Sequence, residues 1–368
     1  MIYLDYGATS FHKPAAVYRA VERAMRTCAN PGRGGYEPAM RAAETVYDCR
    51  EAAGKLFSCK PEQVVLTTSC THGLNLAIRS LVKPGAAVVT TGFEHNAVMR
   101  PLYALDAQVR IAGRRLFDWD DTLAQFENAL QGADAAAFTH VSNVFGYILP
   151  VGEMAAMCRS RGIPFILDAA QSAGTLPVNF RELGADFVAM PGHKGLLGPQ
   201  GTGLLLCAQP GTPLLYGGTG TQSLSREMPE ELPERLEPGT LNVPGYAGLT
   251  QGLRYLNRVG TEGGFRREQS LAEHCAHGLI RQGFRVFAGP HQGATVSFVP
   301  SVDCETGAEL LARQGFAVRA GLHCAPLAHE SAGTLSTGTI RVSLGYDTTP
   351  GEIDGFLRAT AKIRGNRQ

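Results

Sequence analysis

The chain has 368 residues, of which 44% are hydrophobic and 18% charged, a composition that excludes a disordered chain. Its 34 basic and 33 acidic residues leave a formal net charge of +1, which disfavours nucleic-acid binding and attachment to a membrane surface. At roughly 150 residues per domain, the length predicts two or three domains.

The N-terminus and the cysteines indicate a reduced, cytoplasmic protein. The first residues, MIYLDYGATS, lack the basic region and apolar stretch of a signal peptide, and no apolar run approaches the length of about 18 residues that spans a bilayer. None of the nine cysteines is spaced C-x-x-C, which disfavours a zinc ribbon or a thioredoxin-like pair. We therefore expect no membrane attachment and no bound metal ion.

Short apolar strands alternate with helices in the first part of the chain. In chain order, the sequence predicts a strand at 63–66, a helix at 72–81, strands at 86–90 and 135–141, a helix at 151–161, and strands at 164–168, 186–190 and 203–207. Continuous apolar strands separated by helices are typical of a mostly parallel sheet that is covered on both faces.

The pattern changes after residue 210. The segment 210–244 is rich in Gly, Pro and Glu and predicts a long surface excursion, and loops of this length are usually functional. Farther on, the sequence predicts a smaller α+β domain, with helices at 249–259 and 265–282 and strands at 285–287, 294–298, 317–319 and 339–343. We expect a large domain over 14–248 and a small domain formed by 1–13 with 249–368.

Potential ligand groups follow the predicted strands, at the edge where open α/β sheets bind ligands. Cys70 and Thr71 lie in TTSCTHG, where hydroxyls and free N–H groups at a helix start predict a phosphate site or, alternatively, simple capping. His95 could stack on a ligand or lie in a solvated loop. Asn143 could bind a ligand hydroxyl or only shape a turn.

A carboxylate and an amine follow the next two strands. Asp168 ends the strand 164–168, where a buried carboxylate needs a partner such as a protonated ring nitrogen, or it could cap a helix. Lys194 lies in a Gly-rich turn, where its amine could form a Schiff base or reach solvent. A phosphate, a ring stacked on His95, a ring nitrogen at Asp168 and an aldehyde on Lys194 together predict pyridoxal 5′-phosphate.

Two residues of the predicted small domain add further chemistry. Cys324 lies in RAGLHCAPLAH, where the neighbouring His323 or Arg319 could lower the pKa of its thiol. Arg341 lies in a strand-like run, GTIRVS, and suits bidentate binding of a carboxylate or a structural ion pair.

These segments resemble the cysteine desulfurase and selenocysteine lyase family, in the class V aminotransferase group of fold-type I pyridoxal-phosphate enzymes. The resemblance covers nearly the whole chain and is strongest in DAAQSAG, GHKGLLGP, RAGLHCAP and GTIRVS. It implies an α/β fold like that of aspartate aminotransferase, with a large cofactor-binding domain around a mostly parallel, seven-stranded-type sheet and a smaller α+β domain.

The resemblance also implies roles for the candidate residues. Lys194 would form the Schiff base and move protons, and Asp168 would pair with the pyridine nitrogen. Cys324 would accept sulfur as a persulfide, and Arg341 would bind the substrate carboxylate. Further contacts to cofactor or substrate would come from Ala8, Cys70, Thr71, His95, Asn143, Gln171 and His193, of which His95 would stack on the ring.

Thr240 resembles a residue that reaches the phosphate of the neighbouring subunit, which implies a homodimer with shared active sites. The chain departs from the family pattern at Pro191, where Ser is usual, at His72, where Glu is common, at Leu241 and around Asp347. These departures spare the four residues expected to carry the chemistry.

The resemblance implies conversion of L-cysteine to L-alanine, with sulfur passed to an acceptor protein, for example for iron–sulfur cluster assembly. A selenocysteine lyase acting on L-selenocysteine would use the same residues. A class V aminotransferase or a β-lyase would not need Cys324. A non-catalytic scaffold for sulfur assembly would need neither Lys194 nor Cys324.

Overall fold

The computed structural model describes residues 1–32 and 34–364. Its strands are β1 (Ile2–Tyr3), β2 (Val64–Thr67), β3 (Ala87–Thr91), β4 (Gln108–Ala112), β5 (Ala135–Thr139), β6 (Phe165–Asp168), β7 (Phe187–Pro191), β8 (Gly203–Cys207), β9 (Arg285–Phe287), β10 (Thr295–Val299), β11 (Phe316–Ala317), β12 (Arg319–Gly321) and β13 (Thr339–Ser343). Its α-helices are α1 (Ala15–Thr27), α2 (Glu37–Phe57), α3 (Cys70–Leu81), α4 (Asn96–Ala104), α5 (Trp119–Ala129), α6 (Val151–Ser160), α7 (Phe180–Leu183), α8 (Val243–Val259), α9 (Glu262–Arg281), α10 (Cys304–Arg313), α11 (Pro326–Ala332) and α12 (Pro350–Arg364). Within these described ranges, no helix is both long and apolar enough to cross a membrane.

A seven-stranded sheet with the order β2-β8-β7-β6-β5-β3-β4 forms the centre of the larger part of the molecule. Only β8 runs antiparallel to its neighbours, and the strands from β7 through β6, β5 and β3 to β4 pair in parallel. The mostly parallel sheet expected from the sequence is confirmed. Because parallel strands end at one edge, the loops after β3, β5, β6 and β7 meet there.

Side chains of the central strands alternate between two buried layers, as the two-residue repeat of a strand requires. On β6, Phe165 and Leu167 belong to one hydrophobic cluster, and Ile166 belongs to the cluster on the opposite face. Both faces are therefore covered, which explains why these strands are continuous apolar runs rather than alternating ones.

The smaller part contains an antiparallel sheet, β12-β13-β10-β9, and a parallel pair of β1 with β11. The predicted strand at 317–319 is wrong, because the chain changes partner there: β11 ends at Ala317 and pairs with β1, whereas β12 begins at Arg319 and pairs with β13. Leu4 packs in the hydrophobic cluster of this part. The domain limits at residues 13 and 249 stay a prediction.

Helix α8 begins six residues earlier than predicted. The Asn242 side chain accepts a hydrogen bond from the Gly245 N–H at 3.0 Å, and Pro244 occupies the first turn, two features that favour a helix start. The preceding segment has only one short 3-10 helix, Glu234–Leu236, which agrees with the predicted surface excursion. Helices α1, α2, α4, α5, α7, α10, α11 and α12 were not predicted.

A buried ion pair fastens the end of this excursion to α2 and β2. The Arg50 guanidinium binds both oxygens of Glu237, at 2.9 and 2.6 Å. Both side chains are less than a tenth exposed. The backbone of β2 completes the network, because Arg50 donates to the Val64 carbonyl and the Leu66 N–H donates to Glu237.

We expect Glu237→Ala to destabilise the fold by about 3–5 kcal/mol, because it leaves a buried guanidinium without its carboxylate. The double variant Arg50→Met/Glu237→Met should be more stable than Glu237→Ala, because it buries no unpaired charge. Urea unfolding midpoints of the three proteins check this order. A Glu237→Ala protein that unfolds at the wild-type midpoint would show that the pair contributes nothing to stability.

Candidate active site

A pocket at the carboxyl edge of the large sheet collects residues from five loops. Its walls include eight of the side chains singled out from the sequence, Cys70, Thr71, His95, Asn143, Asp168, Gln171, His193 and Lys194. The strands that carry Lys194, Asp168, Asn143 and His95 are β7, β6, β5 and β3, which are consecutive in the sheet. Sheet topology thus brings together residues that are up to 99 positions apart in the chain.

One end of the pocket suits an anion. Helix α3 begins at Cys70, two residues before the predicted start, and its first turn lines the pocket with Thr71. The Ser69 side chain caps this helix by accepting from the His72 N–H at 3.1 Å. Capping by Ser69 is compatible with the predicted anion site, because a helix start leaves further N–H groups without an internal partner. Pro191 lines the same pocket without a hydroxyl.

Asp168 lies in the pocket wall with only 3% of its surface exposed. Its Oδ1 accepts hydrogen bonds from the Ala170 N–H at 2.9 Å and from the Cys70 thiol at 3.5 Å. Burial raises the pKa of this carboxyl, while the Ala170 N–H and the Lys194 charge act in the opposite direction. A protonated ring nitrogen would therefore stabilise the ionised form.

His95 presents a neutral ring to the pocket. Burial, and then the positive charge of Lys194, lower its pKa from 6.5 to about 4. Its Nδ1 accepts a hydrogen bond from the Ala97 N–H at 3.0 Å, so the single ring proton is on Nε2. A neutral imidazole of fixed orientation is suited to stack on a planar ligand.

Lys194 follows β7 in a turn that tolerates little extra volume. A Cβ on Gly174, whose φ is +87°, would lie 2.3 Å from the Gly195 carbonyl oxygen, so this turn packs directly against backbone. Burial, and then the charge of Arg341, lower the pKa of the Lys194 amine. A larger neutral fraction makes that amine a better nucleophile toward an aldehyde.

These groups fit pyridoxal 5′-phosphate. The pocket has a helix start for the phosphate, a buried carboxylate for the ring nitrogen, a flat imidazole for the ring and an amine for the aldehyde. The Oδ1 atom of Asn143 is buried and has no hydrogen-bond partner among the described residues, which leaves an acceptor for a ligand hydroxyl. Gln171 is already engaged, because its Nε2 donates to the Gly7 carbonyl at 3.0 Å.

Arg341 lies beside this pocket, with 2% of its surface exposed. Its guanidinium donates to the Asn143 carbonyl at 3.0 Å and to Asp5 Oδ1 at 2.6 Å. Its Nε is buried without a partner in the described part of the chain. The two contacts hold the guanidinium in place and leave its Nε as a donor without a partner.

Cys324 is the exposed member of the nine free cysteines. It lies in the four residues between β12 and α11. Two backbone contacts attach this turn to the pocket rim: Asn143 Nδ2 donates to the His323 carbonyl at 2.8 Å, and the Asn96 N–H donates to the Cys324 carbonyl at 2.8 Å. Both turn residues have left-handed backbones, with φ of +52° and +55°, which the surrounding contacts must maintain.

His323 is buried beneath Cys324, and a second histidine supports it. The two rings are stacked, and His329 in turn contacts Thr334 Oγ1 at 2.8 Å. Burial, and then Arg341, lower the pKa of His323 to about 3. The imidazole is therefore neutral near pH 7, and a positive charge on His323 does not assist the thiol.

Besides Arg341 and Cys324, two more of the predicted residues lie outside the pocket. Thr240 is exposed and lines a separate cavity with Arg50 and Glu237, so it does not reach the cofactor pocket of its own chain. Ala8 lies in the N-terminal segment, where its N–H donates to the Asp5 carbonyl at 3.0 Å. The roles assigned to all these residues from the resemblance stay predictions.

Three residues near the N-terminus were not singled out from the sequence: Asp5, Thr9 and Ser10. Asp5 binds Arg341 and also lies 3.5 Å from the Arg319 guanidinium, and the other two contact His193. The only available signal was position: Asp5 and Thr9 lie in YLDYGAT, residues 3–9, and Ser10 follows directly. No helix or strand was predicted there.

Glu94 is buried beneath the pocket, directly before His95. Its Oε1 accepts from Thr91 Oγ1 at 2.6 Å and from the Thr139 N–H at 3.1 Å, whereas Oε2 has no partner within the described ranges. Burial raises its pKa from 4.5 to about 8, more than these hydrogen bonds lower it. The folded state therefore binds the proton more tightly than the unfolded state does.

Because of this, the contribution of Glu94 to stability is greatest below pH 4.5 and is lost as the pH rises to about 8. We expect the wild type to lose up to ~5 kcal/mol relative to Glu94→Gln across that range. Urea unfolding of both proteins at several pH values measures the difference. Two parallel stability curves would contradict a raised pKa of Glu94.

Comparison with known proteins agrees with this geometry. The family model for class V aminotransferases matches residues 2–356. A probable cysteine desulfurase of Pyrococcus abyssi is 31% identical, over 97% of this chain and 92% of the relative. A probable cysteine desulfurase of Methanothermobacter thermautotrophicus is 30% identical, over 99% of this chain and 95% of the relative.

Solved structures are similar over the same extent. The apo structure of the cysteine desulfurase from Thermococcus onnurineus NA1 has a TM-score of 0.89 and 31% identity, covering 98% of this chain and 94% of that one. The cysteine desulfurase CsdA (S-sulfonic acid) from Escherichia coli has a TM-score of 0.86 and 26% identity, with the same coverage. The predicted fold and the predicted dependence on pyridoxal phosphate are confirmed. The chain belongs to the class V aminotransferase family.

Proposed function

We propose that this protein is a cysteine desulfurase, which converts L-cysteine to L-alanine and holds the sulfur as a persulfide on Cys324. The observation that carries the proposal is the connection between two features. A pocket with Lys194 and Asp168 fits pyridoxal phosphate, and Asn143 joins the wall of that pocket to the turn with the exposed thiol. Relatives named as cysteine desulfurases support the same substrate.

When bound, the cofactor supplies an electron sink that makes the Cα proton of the amino acid acidic. The Arg341 guanidinium binds the substrate carboxylate at its free Nε edge, and Asp5 holds that guanidinium in position. The Lys194 amine takes the Cα proton and later returns protons. Its lowered pKa favours this role, because a larger fraction of the amine is neutral and able to accept a proton. Asp168 stays ionised opposite the ring nitrogen.

Sulfur transfer is the task of Cys324. Its thiolate Sγ attacks the substrate sulfur, so that an S–S bond forms while the C–S bond breaks. The carbon fragment keeps the electron pair of the broken bond, takes up protons and leaves as alanine. The left-handed turn limits where this sulfur can lie, and its exposed position lets a second thiol remove the outer sulfur afterwards.

The acceptor of that sulfur and the quaternary structure belong to the same proposal. We propose a homodimer in which Thr240 contributes to the neighbouring site, and a sulfur-acceptor protein that docks at Cys324. Large apolar side chains on α1, on α2, at the residue before α2 and on the excursion are 49–76% exposed, which supports a dimer surface: Tyr18, Met25, Tyr36, Met40, Tyr47, Leu215 and Tyr216. All nine cysteines are free, which supports a reducing, cytoplasmic location.

Product analysis tests the function. We expect the purified holoenzyme with L-cysteine and a thiol reductant to release alanine and sulfide in equal amounts. L-Selenocysteine is the parallel substrate, and turnover of it alone would identify a selenocysteine lyase. Pyruvate with ammonia instead of alanine would identify a β-lyase, and transfer of the amino group to a keto acid would identify an aminotransferase. Any of these three results would overturn the proposal.

A further inference from the structure

We propose that Thr9 is a positioning residue that fixes the tautomer of His193, so that the imidazole donates a hydrogen bond to the cofactor phosphate. The proposal rests on the proposed function in one respect, namely that the pocket holds pyridoxal phosphate. It assigns a role to the N-terminal segment, which approaches the pocket from 184 residues away in the chain.

The contact that carries the proposal joins Thr9 Oγ1 to His193 Nδ1 at 3.0 Å. The Thr9 hydroxyl also lies 3.0 Å from the His193 carbonyl oxygen, so its single proton could point to either atom. If the Thr9 proton points to Nδ1, then Nδ1 accepts and the ring proton is on Nε2. If the Thr9 proton points to the carbonyl oxygen, then Nδ1 must carry the ring proton and donate to Thr9 Oγ1.

Contacts of Ser10 favour Nδ1 over the His193 carbonyl oxygen as the acceptor of the Thr9 proton. Its N–H and its hydroxyl both donate to the His193 carbonyl, each at 2.9 Å, and a carbonyl oxygen has two lone pairs. The Ser10 hydroxyl is committed to this role, because Lys13 Nζ donates to its oxygen at 3.0 Å. The carbonyl needs no third donor, so the Thr9 proton is available to Nδ1.

The ring then presents the group that an anion needs. Burial, and then Lys194 and Lys13, lower the pKa of His193 to about 4, so the ring is neutral near pH 7. A neutral imidazole that accepts at Nδ1 has its proton on Nε2. His193 lines the same pocket as Thr71, a residue of the first turn of α3. The opposite tautomer would present a lone pair to the phosphate, which is repulsive.

The composition of the pocket makes the Nε2–H donor of His193 important. Pro191 lines this pocket and brings neither a hydroxyl nor an N–H group. The donors that the described chain brings to this pocket near the start of α3 include Ser69, Thr71 and His193. We therefore expect the loss of the correct tautomer to weaken the hold on the phosphate specifically, and to leave the ring contacts unchanged.

The test compares two ligands that differ only in the phosphate. Apoprotein is titrated with pyridoxal phosphate and with pyridoxal, and the dissociation constants are measured for the wild type, Thr9→Val and Thr9→Ser. Valine keeps the shape of threonine and removes the hydroxyl, and serine keeps the hydroxyl. We expect Thr9→Val to weaken pyridoxal phosphate about tenfold and pyridoxal less than about twofold, and Thr9→Ser to restore the wild-type value.

Equal weakening of both ligands by Thr9→Val would overturn the proposal, because it would indicate a general structural role. No weakening of either ligand would overturn it as well. If the valine variant does not fold, the tautomer can be measured in the wild type by nitrogen NMR of histidine-labelled holoenzyme, with His193→Gln to assign the signal. We expect the proton of His193 on Nε2. A proton on Nδ1 would contradict the proposal. Failure of the wild type to bind pyridoxal phosphate would instead refute the proposed function.

Discussion

Replacement of Cys324 by alanine is expected to reduce the release of alanine and sulfide from L-cysteine by roughly three orders of magnitude or more, because the sulfur has no other nucleophile to receive it. Cofactor binding should stay unchanged, because Cys324 is attached to the pocket only through its backbone and does not line it. The measurement is turnover in the presence of a reductant, together with the absorbance of the bound cofactor.

Cys59→Ser is the matched control, because Cys59 is also free and only partly buried, and it follows α2 outside the cofactor pocket. It should retain wild-type turnover. A Cys324→Ala protein that still forms alanine at the wild-type rate would show that the thiol is not part of the reaction. That result would favour an aminotransferase or a lyase.

Replacement of Lys194 by alanine is expected to abolish both the visible absorbance of the covalently held cofactor and all turnover. Among the described residues, Lys194 is the only lysine that lines the cofactor pocket, and the lowered pKa of its amine favours nucleophilic attack on the aldehyde. Lys194→Arg distinguishes loss of the positive charge from loss of the covalent bond to the cofactor, since arginine keeps a positive charge but cannot form that bond. Both variants should therefore fail in the same way.

Lys83→Ala, which removes an exposed lysine, is the control and should behave as wild type. Absorbance spectra of the four proteins after removal of free cofactor provide the comparison. A Lys194→Ala protein with the wild-type spectrum would contradict the covalent attachment, and one with the wild-type rate would contradict the proton transfer.

Much of the pocket could be predicted from the sequence, because its residues directly follow strands whose apolar runs are easy to identify. Asp168 and Lys194 each end a strand or follow one closely, and parallel topology places such positions at one edge. Placing these residues in one pocket did not require the exact order of the strands in the sheet. Only the rule that parallel strands end together was needed.

The N-terminal segment could not be predicted in the same way. Asp5 and Thr9 act through partners 336 and 184 residues away, and no local periodicity encodes such contacts. The division of the strand at Val318 has the same origin, since β11 and β12 differ only in which distant strand each one pairs with. Tertiary partners, rather than local propensity, determine these features.

The central claim is that Cys324 receives the sulfur of L-cysteine, and a single turnover tests it most directly. Holoenzyme is mixed with one equivalent of L-cysteine without a reductant, and alanine and the cysteine-containing peptides are then analysed by mass spectrometry. We predict one alanine per modified chain and one added sulfur atom on the Cys324 peptide. Alanine without any added sulfur on the protein, or sulfur on Cys70 in the cofactor pocket instead, would contradict the account.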